Sequence, residues 1–349
     1  MPKKIAIIGA GLSGLAAAHK LSETEAEVTV FEKSENLSGR AASRSKNGCR
    51  YDHGANYFKV ESNELASFFF EDLPTENLCR IVEDVLPFDA EGRVGKGDPE
   101  RNASARWSYR GGIDTLGKLM VDSAGLQVRH GTGISRLFQA QMKWRLETDD
   151  EETFDDYDGV LLTPPGPQTV ELLANSDFDP APRSGLVREI KKAEYDSQFS
   201  FALNFPGEIA MPGNSYALVN DDGRHDIAWL SLENRKADHV PEGESLLIVH
   251  MSPDWTARHF DDPHPELVDL VIQAAGDLLD TDLPGLNWSD VQLWRYAHPH
   301  SAASFEAIRR ASTIGLFFAG DAFIGRGRIA PAIRTALAAA ADIAVFAKR

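Results

Sequence analysis

The chain has 349 residues and a net charge of −17 at neutral pH. Such an acidic chain is not expected to carry the extended basic surfaces that bind nucleic acid or anionic membranes. Its two cysteines, Cys49 and Cys79, lack the spacing of a zinc site or a redox dithiol, so we expect free thiols and no bound metal. No apolar stretch reaches the ~20 residues that a membrane span requires. The sequence therefore predicts a soluble cytoplasmic protein of one large or two ordinary domains.

The first predicted elements surround a cluster of glycines. The opening segment MPKKIAIIGAGLSGLAAAHKL has the basic start and apolar run of a secretory signal peptide, but its Gly9, Gly11 and Gly14 follow the pattern G-x-G-x-x-G. A strand pattern precedes these glycines, a helical pattern follows them, and a second strand pattern leads to Glu32. This order is typical of a dinucleotide-binding βαβ unit, in which the glycines admit a pyrophosphate and the acid binds a ribose. A signal peptide explains none of the residues after Ala18, so we predict the dinucleotide site.

The residues after the second strand distinguish the cofactor. NAD and FAD both bind a βαβ unit, and a nicotinamide dehydrogenase usually continues directly into the next βα unit. This chain instead reads KSENLSGRAASRS, with Gly39 and Arg40 just beyond the strand. A Gly-Arg pair at this place is typical of flavoproteins, where the guanidinium lies along the FAD pyrophosphate as a bidentate partner. We therefore predict FAD.

The C-terminal end of the chain supplies a second cofactor motif. The segment TIGLFFAGDAFIGRGRIAPAIRTALAAAADIAVF reads as a buried strand, then Gly320 and Asp321, a loop and a final helix. In FAD enzymes of this fold the aspartate binds the ribityl chain, and the helix N-terminus stabilises the negative charge of reduced flavin. No cysteine follows Cys79, which excludes a cysteinyl flavin link late in the chain. We therefore predict that FAD is bound without a covalent bond.

Seven stretches of the chain together resemble one protein family. They are IAIIGAGLSGLAAA, FEKSENLSGR, DHGANYF, ARWSYRGGIDTL, GVLLTPPGPQ, LWRYAHP and FFAGD. Over nearly its whole length the chain resembles the bacterial renalase branch of the FAD-dependent amine-oxidase superfamily. The resemblance implies an α/β fold in which a Rossmann-type FAD-binding domain carries an inserted substrate domain of antiparallel sheet plus helices, the amine-oxidase or PHBH-like architecture. Residues 1–60, 105–170 and 290–349 would form the FAD domain, and residues 61–104 and 171–289 the substrate domain.

The resemblance also implies which residues contact FAD. We expect these contacts from the glycine turn, the end of the second strand, the Gly-Arg pair, the DHGAN segment and the C-terminal motif: Gly9, Gly11, Leu12, Ser13, Gly14, Glu32, Lys33, Gly39, Arg40, Gly54, Ala55, Asn56, Ile134, Thr163, Gly320, Asp321, Arg328 and Ile329. One stretch departs from the family pattern, because relatives tend to read G-R-V-E-G-A where this chain has G-R-I-A-P-A at 327–332. The helix start is expected to persist, since its donors are backbone groups.

The candidates for the substrate pocket are Asn56, Tyr57, Trp107, Trp294, Tyr296 and His298. Many amine oxidases hold a lysine near flavin N5 on a strand of the substrate domain. No lysine lies between Lys192 and Lys236 in this chain, and the matching strand SQFSFALNF offers only Ser200. We predict an apolar approach to N5 and a flat slot for a nicotinamide ring, formed by Trp107, Trp294 and Tyr296.

The resemblance to renalases also implies a reaction. Renalases oxidise the 2- and 6-dihydro isomers of NAD(P) by hydride transfer to flavin, and O2 then reoxidises the flavin and yields hydrogen peroxide. The expected partners are therefore a small-molecule substrate and O2, while the sequence leaves the oligomeric state open. An amine or polyamine oxidase would share every FAD motif, as would a flavin-binding protein without turnover, so both alternatives stay open at this stage.

Overall fold

The computed structural model describes residues 1–348, so the last residue of the predicted segment 290–349 lies outside it. Within residues 1–348 the strands are β1 Lys4–Ile8, β2 Glu27–Phe31, β3 Ser43–Lys46, β4 Cys49–Asp52, β5 Leu78–Ile81, β6 Val85–Phe88, β7 Arg106–Tyr109, β8 Gln127–Arg129, β9 Ile134–Ala140, β10 Lys143–Thr148, β11 Thr153–Tyr157, β12 Gly159–Leu162, β13 Tyr195–Pro206, β14 Ala217–Asn220, β15 Ile227–Leu232, β16 Glu244–Met251, β17 Trp288–Pro299 and β18 Leu316–Phe318. The α-helices are α1 Leu12–Leu21, α2 Asn63–Phe70, α3 Pro99–Ala103, α4 Thr115–Ala124, α5 Gly166–Asn175, α6 Pro180–Ile190, α7 Pro253–Arg258, α8 His264–Leu279, α9 Phe305–Ile308 and α10 Ile329–Ala347.

A five-stranded parallel sheet, in the order β18-β12-β1-β2-β8, forms the centre of the first structural unit. Strand β1 lies in the middle, and its Ile5, Ala6 and Ile7 are fully buried, because both faces of a parallel sheet are covered. Helix α1 packs against α10, so the two ends of the chain meet on one side of this sheet. The predicted order of strand, glycine turn, helix and strand is confirmed, as is the α/β class with a Rossmann-type unit. All five strands come from the segments predicted to form the FAD domain.

A six-stranded sheet, in the order β17-β13-β16-β15-β14-β6, forms the second unit. Its pairs are antiparallel except for β14 and β6. Phe199, Phe201 and Leu203 of β13 share a hydrophobic core with Val271 of α8, so alternation along the strand places Ser200 on the opposite face. This antiparallel sheet with helices on one face agrees with the predicted architecture. Strand β17 straddles position 290, where the sequence placed a domain boundary.

Three smaller antiparallel sheets complete the fold. Strands β9, β10 and β11 form one of them, and its Trp144 packs with Val160 and Leu162 of the parallel sheet in one buried cluster. The two-stranded sheets pair β3 with β4 and β5 with β7. Strand β4 ends at Asp52, immediately before the DHGAN segment, so the hairpin of β3 and β4 holds the start of that segment in place.

Helix α10 corrects one expectation from the sequence. Its 19 residues, Ile329–Ala347, are long and apolar enough to cross a membrane by length and composition, so the prediction that no apolar stretch reaches this length is wrong. Half of the apolar window is buried inside the fold, where Ile333, Ala336 and Ala340 join the hydrophobic core that includes α1. A helix inside a protein core satisfies the same two criteria as a membrane span.

Candidate active site

The turn between β1 and α1 requires glycine at two of the three predicted positions. Gly9 has a φ of +101°, a backbone conformation that L side chains rarely adopt. A Cβ atom on Gly14 would stand 1.9 Å from the carbonyl oxygen of Gly9 and 3.1 Å from Oγ1 of Thr163. That hydroxyl donates to the carbonyl of Ile8 at 2.8 Å. The predicted residue Thr163 therefore supports the turn from β12, and the helix packs directly on it.

The third glycine faces open space at the start of a helix. No atom lies within 4 Å of the position that a Cβ would take on Gly11, and no side chain caps the N-terminus of α1. Helix α10 also begins without a side-chain cap, at Arg328. Oγ of Ser13 donates to the carbonyl of Ala332 at 3.3 Å, so the first turns of the two helices lie side by side. Two positive helix ends and an open glycine surface suit the pyrophosphate of a dinucleotide.

Glu32 lies where an adenosine ribose is expected, at the end of β2. Its carboxylate is 9% exposed and accepts from the backbone N–H of Ala10 at 2.8 Å. The backbone N–H and the hydroxyl of Ser34 each donate to the other carboxylate oxygen at 2.9 Å. The acid is therefore held against the glycine turn before any cofactor arrives, and its remaining lone pairs can accept ribose hydroxyls.

We expect the substitution Glu32→Ala to weaken FAD binding about 10- to 100-fold, because a charge-assisted pair in a tight site contributes ~1–3 kcal/mol. The N–H of Ala10 would lose its acceptor as well, so the thermal midpoint of the FAD-free protein is expected to fall. FAD affinity can be measured by fluorescence titration of the FAD-free protein. The exposed Glu35 provides a matched control, and Glu35→Ala should retain the original affinity. An unchanged affinity in Glu32→Ala would identify Glu32 as a purely structural acid.

Arg40 and Asp321 form one ion-paired unit. The guanidinium lies 2.8 Å and 2.9 Å from the two carboxylate oxygens of Asp321, and it also donates to the carbonyls of Tyr296 and Ala297. The hydroxyl of Tyr195 donates to Asp321 at 2.8 Å, a contact that the sequence interpretation missed. Although burial alone would lower the pKa of Arg40, the Asp321 carboxylate raises it, so the guanidinium stays charged. The two chain ends thus meet at a bidentate pair.

The remaining predicted FAD residues lie around the same turn. Gly39 has a φ of +57°, and a Cβ on it would stand 3.2 Å from Cα of Gly11. A Cβ on Gly133, next to the predicted Ile134, would stand 3.3 Å from Cβ of Lys33, so Lys33 and Ile134 lie beside the acid of β2. Leu12 and Ile329 open the two helices, and both are buried. The structure therefore gathers these residues, while their contact with FAD remains a prediction.

The DHGAN segment runs past this unit to the six-stranded sheet. A Cβ on Gly54 would stand 2.0 Å from the carbonyl of Arg40 and 3.3 Å from the ring of Trp294, so only glycine fits there. Ala55 donates its N–H to the same carbonyl at 3.0 Å. Oδ1 of Asn56 accepts from Nε1 of Trp229 at 2.8 Å and from Oγ of Ser231 at 3.0 Å. Asn56 is thereby fixed on the sheet face.

His250 is a central polar residue of this face and was missed by the sequence interpretation. Because Oδ1 of Asn56 accepts two bonds from the sheet, its Nδ2 is the group that lies 3.2 Å from Nε2 of His250. That nitrogen must therefore accept, and a neutral His250 carries its proton on Nδ1. Burial lowers the pKa of His250 to about 3. His250 is the cross-strand partner of both Ser200 and Trp229. Ser200 pairs in turn with Gln292, so these four residues form a row across four adjacent strands.

Two further histidines belong to this region. The ring of His53 stacks on Trp294 with centroids 5.3 Å apart, and burial lowers the pKa of His53 to about 4. The predicted His298 lies with Nε2 3.1 Å from Oε1 of Gln198, and burial among protein groups lowers its pKa to about 4 as well. His298 is nevertheless exposed to solvent. All three rings are neutral at pH 7.

The three aromatic residues predicted to form a slot do not contact one another directly as ring pairs. Trp107 pairs with Phe58 through the backbone and packs its ring on Phe70, 5.4 Å away, whereas Trp294 stacks on His53. Tyr296 contacts Tyr195 edge to face at 6.2 Å. The three rings thus have three different aromatic neighbours. Trp107 lies on β7, which belongs to a different sheet from the β17 strand that carries Trp294 and Tyr296. Tyr57 instead joins an aromatic cluster with Tyr216 and Trp229. Ser200, on the strand predicted to face N5, has His250 and Gln292 as its cross-strand neighbours, while the predicted apolar approach to N5 stays a prediction.

Comparison with known protein families identifies both parts of the chain. Residues 7–73 match the NAD(P)-binding Rossmann-like domain, and residues 90–344 match the flavin-containing amine oxidoreductase family. The second match covers most of the chain, including the C-terminal motif and all strands of the six-stranded sheet except β6.

Curated relatives match over short segments only. Protoporphyrinogen oxidase 2, chloroplastic/mitochondrial, of Arabidopsis thaliana is 43% identical over 65 residues, which cover 19% of this chain and 13% of that protein. A 4,4'-diapophytoene desaturase of Staphylococcus aureus (strain Newman) is 49% identical over 96 residues, which cover 26% of this chain and 19% of that protein. The chain thus matches less than a fifth of either relative's length.

Solved structures share the complete fold. Reduced UDP-galactopyranose mutase superimposes with a TM-score of 0.79 at 13% identity, over 100% of this chain and 95% of that one. Putrescine oxidase bound to putrescine superimposes with a TM-score of 0.74 at 11% identity, over 99% of each chain. These likenesses concern the fold alone, whereas the family match over residues 90–344 concerns the sequence. The chain is therefore a member of the flavin-containing amine oxidoreductase family, an oxidoreductase whose cofactor is FAD.

Proposed function

We propose that this enzyme oxidises an uncharged dihydropyridine ring, that of the 2- or 6-dihydro isomers of NAD(P). FAD in this site would supply the hydride acceptor for such a donor, which would leave as NAD(P)+, and O2 would take up the electron pair with protons to yield hydrogen peroxide. The proposal rests on one observation: the sheet face beside the DHGAN segment carries neutral hydrogen-bonding groups where an amine oxidase would need charged ones.

The neutrality of this face favours an uncharged donor. Burial lowers the pKa of His250 to about 3, and the surrounding protein groups lower the pKa of the more exposed His298 to about 4, so neither is charged at neutral pH. Asp290 is a carboxylate on the same face, but its Oδ2 already accepts from Nη1 of Arg44 at 2.7 Å and from the hydroxyl of Tyr51 at 2.8 Å. A protonated amine would need an anionic or aromatic partner and a base to remove its proton. A dihydropyridine needs neither, since its oxidised ring carries the positive charge.

Unpaired donors on this face suit a carboxamide. Among the described residues, Nδ1 of His250 and Oγ of Ser200 are buried without a hydrogen-bond partner, and the two residues are direct cross-strand neighbours. Buried donors without partners in a native protein call for an explanation, such as a ligand group. A nicotinamide carboxamide offers an oxygen that accepts from both donors, whereas an ammonium group offers no acceptor. In this proposal the two residues orient the donor ring, and the stacked His53 and Trp294 form one wall.

We further propose that the FAD domain consists of residues 1–60, 105–170 and 290–349, with the strand Trp288–Pro299 joining it to the substrate domain. Arg40 and Asp321 would hold the pyrophosphate and the ribityl chain, while the N-terminus of α10 would stabilise charge on the flavin. O2 as acceptor and a cytoplasmic location belong to the same proposal.

The reaction is tested by adding candidate donors to the FAD-loaded enzyme without oxygen and following the visible absorbance of the flavin. We expect the 2- and 6-dihydro isomers of NAD(P) to bleach the flavin much faster than putrescine, other amines or ordinary 4-dihydro NADH. Rapid bleaching by a simple amine, with no response to any dihydronicotinamide, would reject the proposal in favour of an amine oxidase. A flavin that no donor reduces would indicate a flavin-binding protein without turnover.

A further inference from the structure

A fully buried cluster of four charged side chains lies directly behind the DHGAN segment. Nζ of Lys236 lies 2.7 Å from a carboxylate oxygen of Asp52 and 2.8 Å from one of Glu233. Nδ1 of His239 lies 2.9 Å from the second oxygen of Glu233. All four side chains are completely shielded from solvent. Buried charges at this density require mutual compensation, because each is removed from water.

The charges of this cluster balance. Nδ1 of His239 faces the carboxylate of Glu233, and its Nε2 lies 3.0 Å from the carbonyl oxygen of Tyr109. Both partners are acceptors, so both ring nitrogens donate and the ring is an imidazolium. Although burial alone would lower the pKa of His239, the hydrogen bond and charge of Glu233 raise it. Two cations and two anions therefore cancel.

The ammonium group takes the place that a metal ion would need. Ligand atoms of Asp52, Glu233 and His239 lie within 4.8 Å of one another, but Nζ of Lys236 lies between the two carboxylates, hydrogen-bonded to Asp52 and 2.8 Å from Oε1 of Glu233. The four side chains thus compensate one another, and their effect on the rest of the protein depends on what they connect.

The cluster connects the DHGAN segment to the end of β15. Asp52 opens this segment, and its N–H donates to Glu233 at 3.3 Å, while its carbonyl accepts from Nδ2 of Asn56 at 3.2 Å. Its Oδ1 accepts from the N–H of Ile113 at 2.8 Å. On the partner side, Ser231 donates to Oδ1 of Asn56 only two residues before Glu233. Two connections therefore join the DHGAN segment to the end of β15. One is the ion-pair cluster, and the other is the hydrogen bond between Asn56 and Ser231.

We propose that Lys236 is a positioning residue, which acts through Asp52 and Glu233 to fix residues 53–56 against the substrate sheet and so sets where they meet the flavin. This role uses the established cofactor and does not depend on the identity of the hydride donor.

The test compares hydrogen exchange and flavin spectra in FAD-loaded variants. Lys236→Met alone leaves one buried negative charge in excess, so we expect it to destabilise the fold. The double variant Asp52→Asn/Lys236→Met removes one charge of each sign and retains the directly paired Glu233 and His239, so that the site stays neutral. The exposed pair of Lys20 and Glu23, 2.7 Å apart, provides the control Glu23→Gln/Lys20→Met.

In the double variant we expect amides of residues 53–58 to exchange about tenfold faster or more, while the core amides of β1 keep their protection. The visible flavin band should shift or lose fine structure, because the residues beside the ring are no longer fixed. The control pair should match the original protein in both measurements. Unchanged exchange at 53–58 and an unchanged flavin spectrum would overturn the proposal. So would global unfolding of the neutral double variant, which would assign the cluster to the fold as a whole.

Discussion

Replacing Gly14 by alanine is expected to destabilise the protein by about 3 kcal/mol or more and to abolish FAD binding. The added Cβ would stand 1.9 Å from the carbonyl oxygen of Gly9, a contact between two backbone segments that no rotamer change relieves. Overpacking in a close-packed core costs ~1–3 kcal/mol even where side chains can adjust. Denaturant unfolding gives the loss of stability, and the absorbance of the purified protein gives its FAD content.

Gly11→Ala is the matched substitution three residues earlier. Its Cβ would meet no atom within 4 Å, and its φ of −70° suits alanine. We therefore expect the FAD-free protein to keep its stability while FAD affinity falls, because the methyl group enters the space reserved for the pyrophosphate. Equal losses of stability in both variants would contradict this separation. So would normal FAD binding by Gly11→Ala.

Acid is expected to destabilise the protein between pH 6.5 and pH 4 through its buried neutral histidines. Burial lowers the pKa of His250 to about 3 and that of His53 to about 4, from 6.5 in the unfolded chain. The unfolded state thus binds more protons than the folded state below pH 6.5, so this stability is present above that pH and is lost as the pH falls. At pH 4.5 each ring accounts for a loss of ~2–3 kcal/mol.

Denaturant unfolding of the original protein and of His250→Gln at pH 7 and pH 4.5, at one FAD concentration, measures this effect. The variant should lose about 2–3 kcal/mol less than the original protein between the two pH values. His300 offers a control of opposite sign, because a hydrogen bond to Glu194 raises the pKa of this exposed ring. His300→Gln should not reduce the loss of stability between pH 7 and pH 4.5. If His250→Gln loses as much stability as the original protein, the imidazole at position 250 is not responsible.

The parts of the fold that the sequence predicts correctly are those with local signals. The glycine turn, the helix behind it and the acid of β2 all lie within residues 4–32, so their spacing alone indicates the βαβ unit. The apolar residues of β1 indicate a buried strand, and the φ of +101° at Gly9 is one that glycine adopts readily. Gly320, with a φ of +122°, is a comparable local signal at the other end.

The polar sheet face around His250 was missed because it depends on contacts between distant strands. His250 reaches Asn56 across 194 positions of sequence, and Trp229 reaches it across 173. No spacing in the sequence indicates which strands pair in an antiparallel sheet, and the same strands decide which aromatic rings meet. Trp107 was assigned to the pocket on residue type alone, whereas its place on β7 directs it to Phe70.

The bond between Ser13 and Ala332 joins residues 319 positions apart, and this separation has a consequence for synthesis of the protein. On the ribosome the glycine turn is synthesised before helix α10. The part of α1 that packs on α10 therefore stays uncovered until α10 has been made, and FAD that arrives earlier meets only the glycine turn. We expect complete binding of FAD only after α10 has folded onto α1.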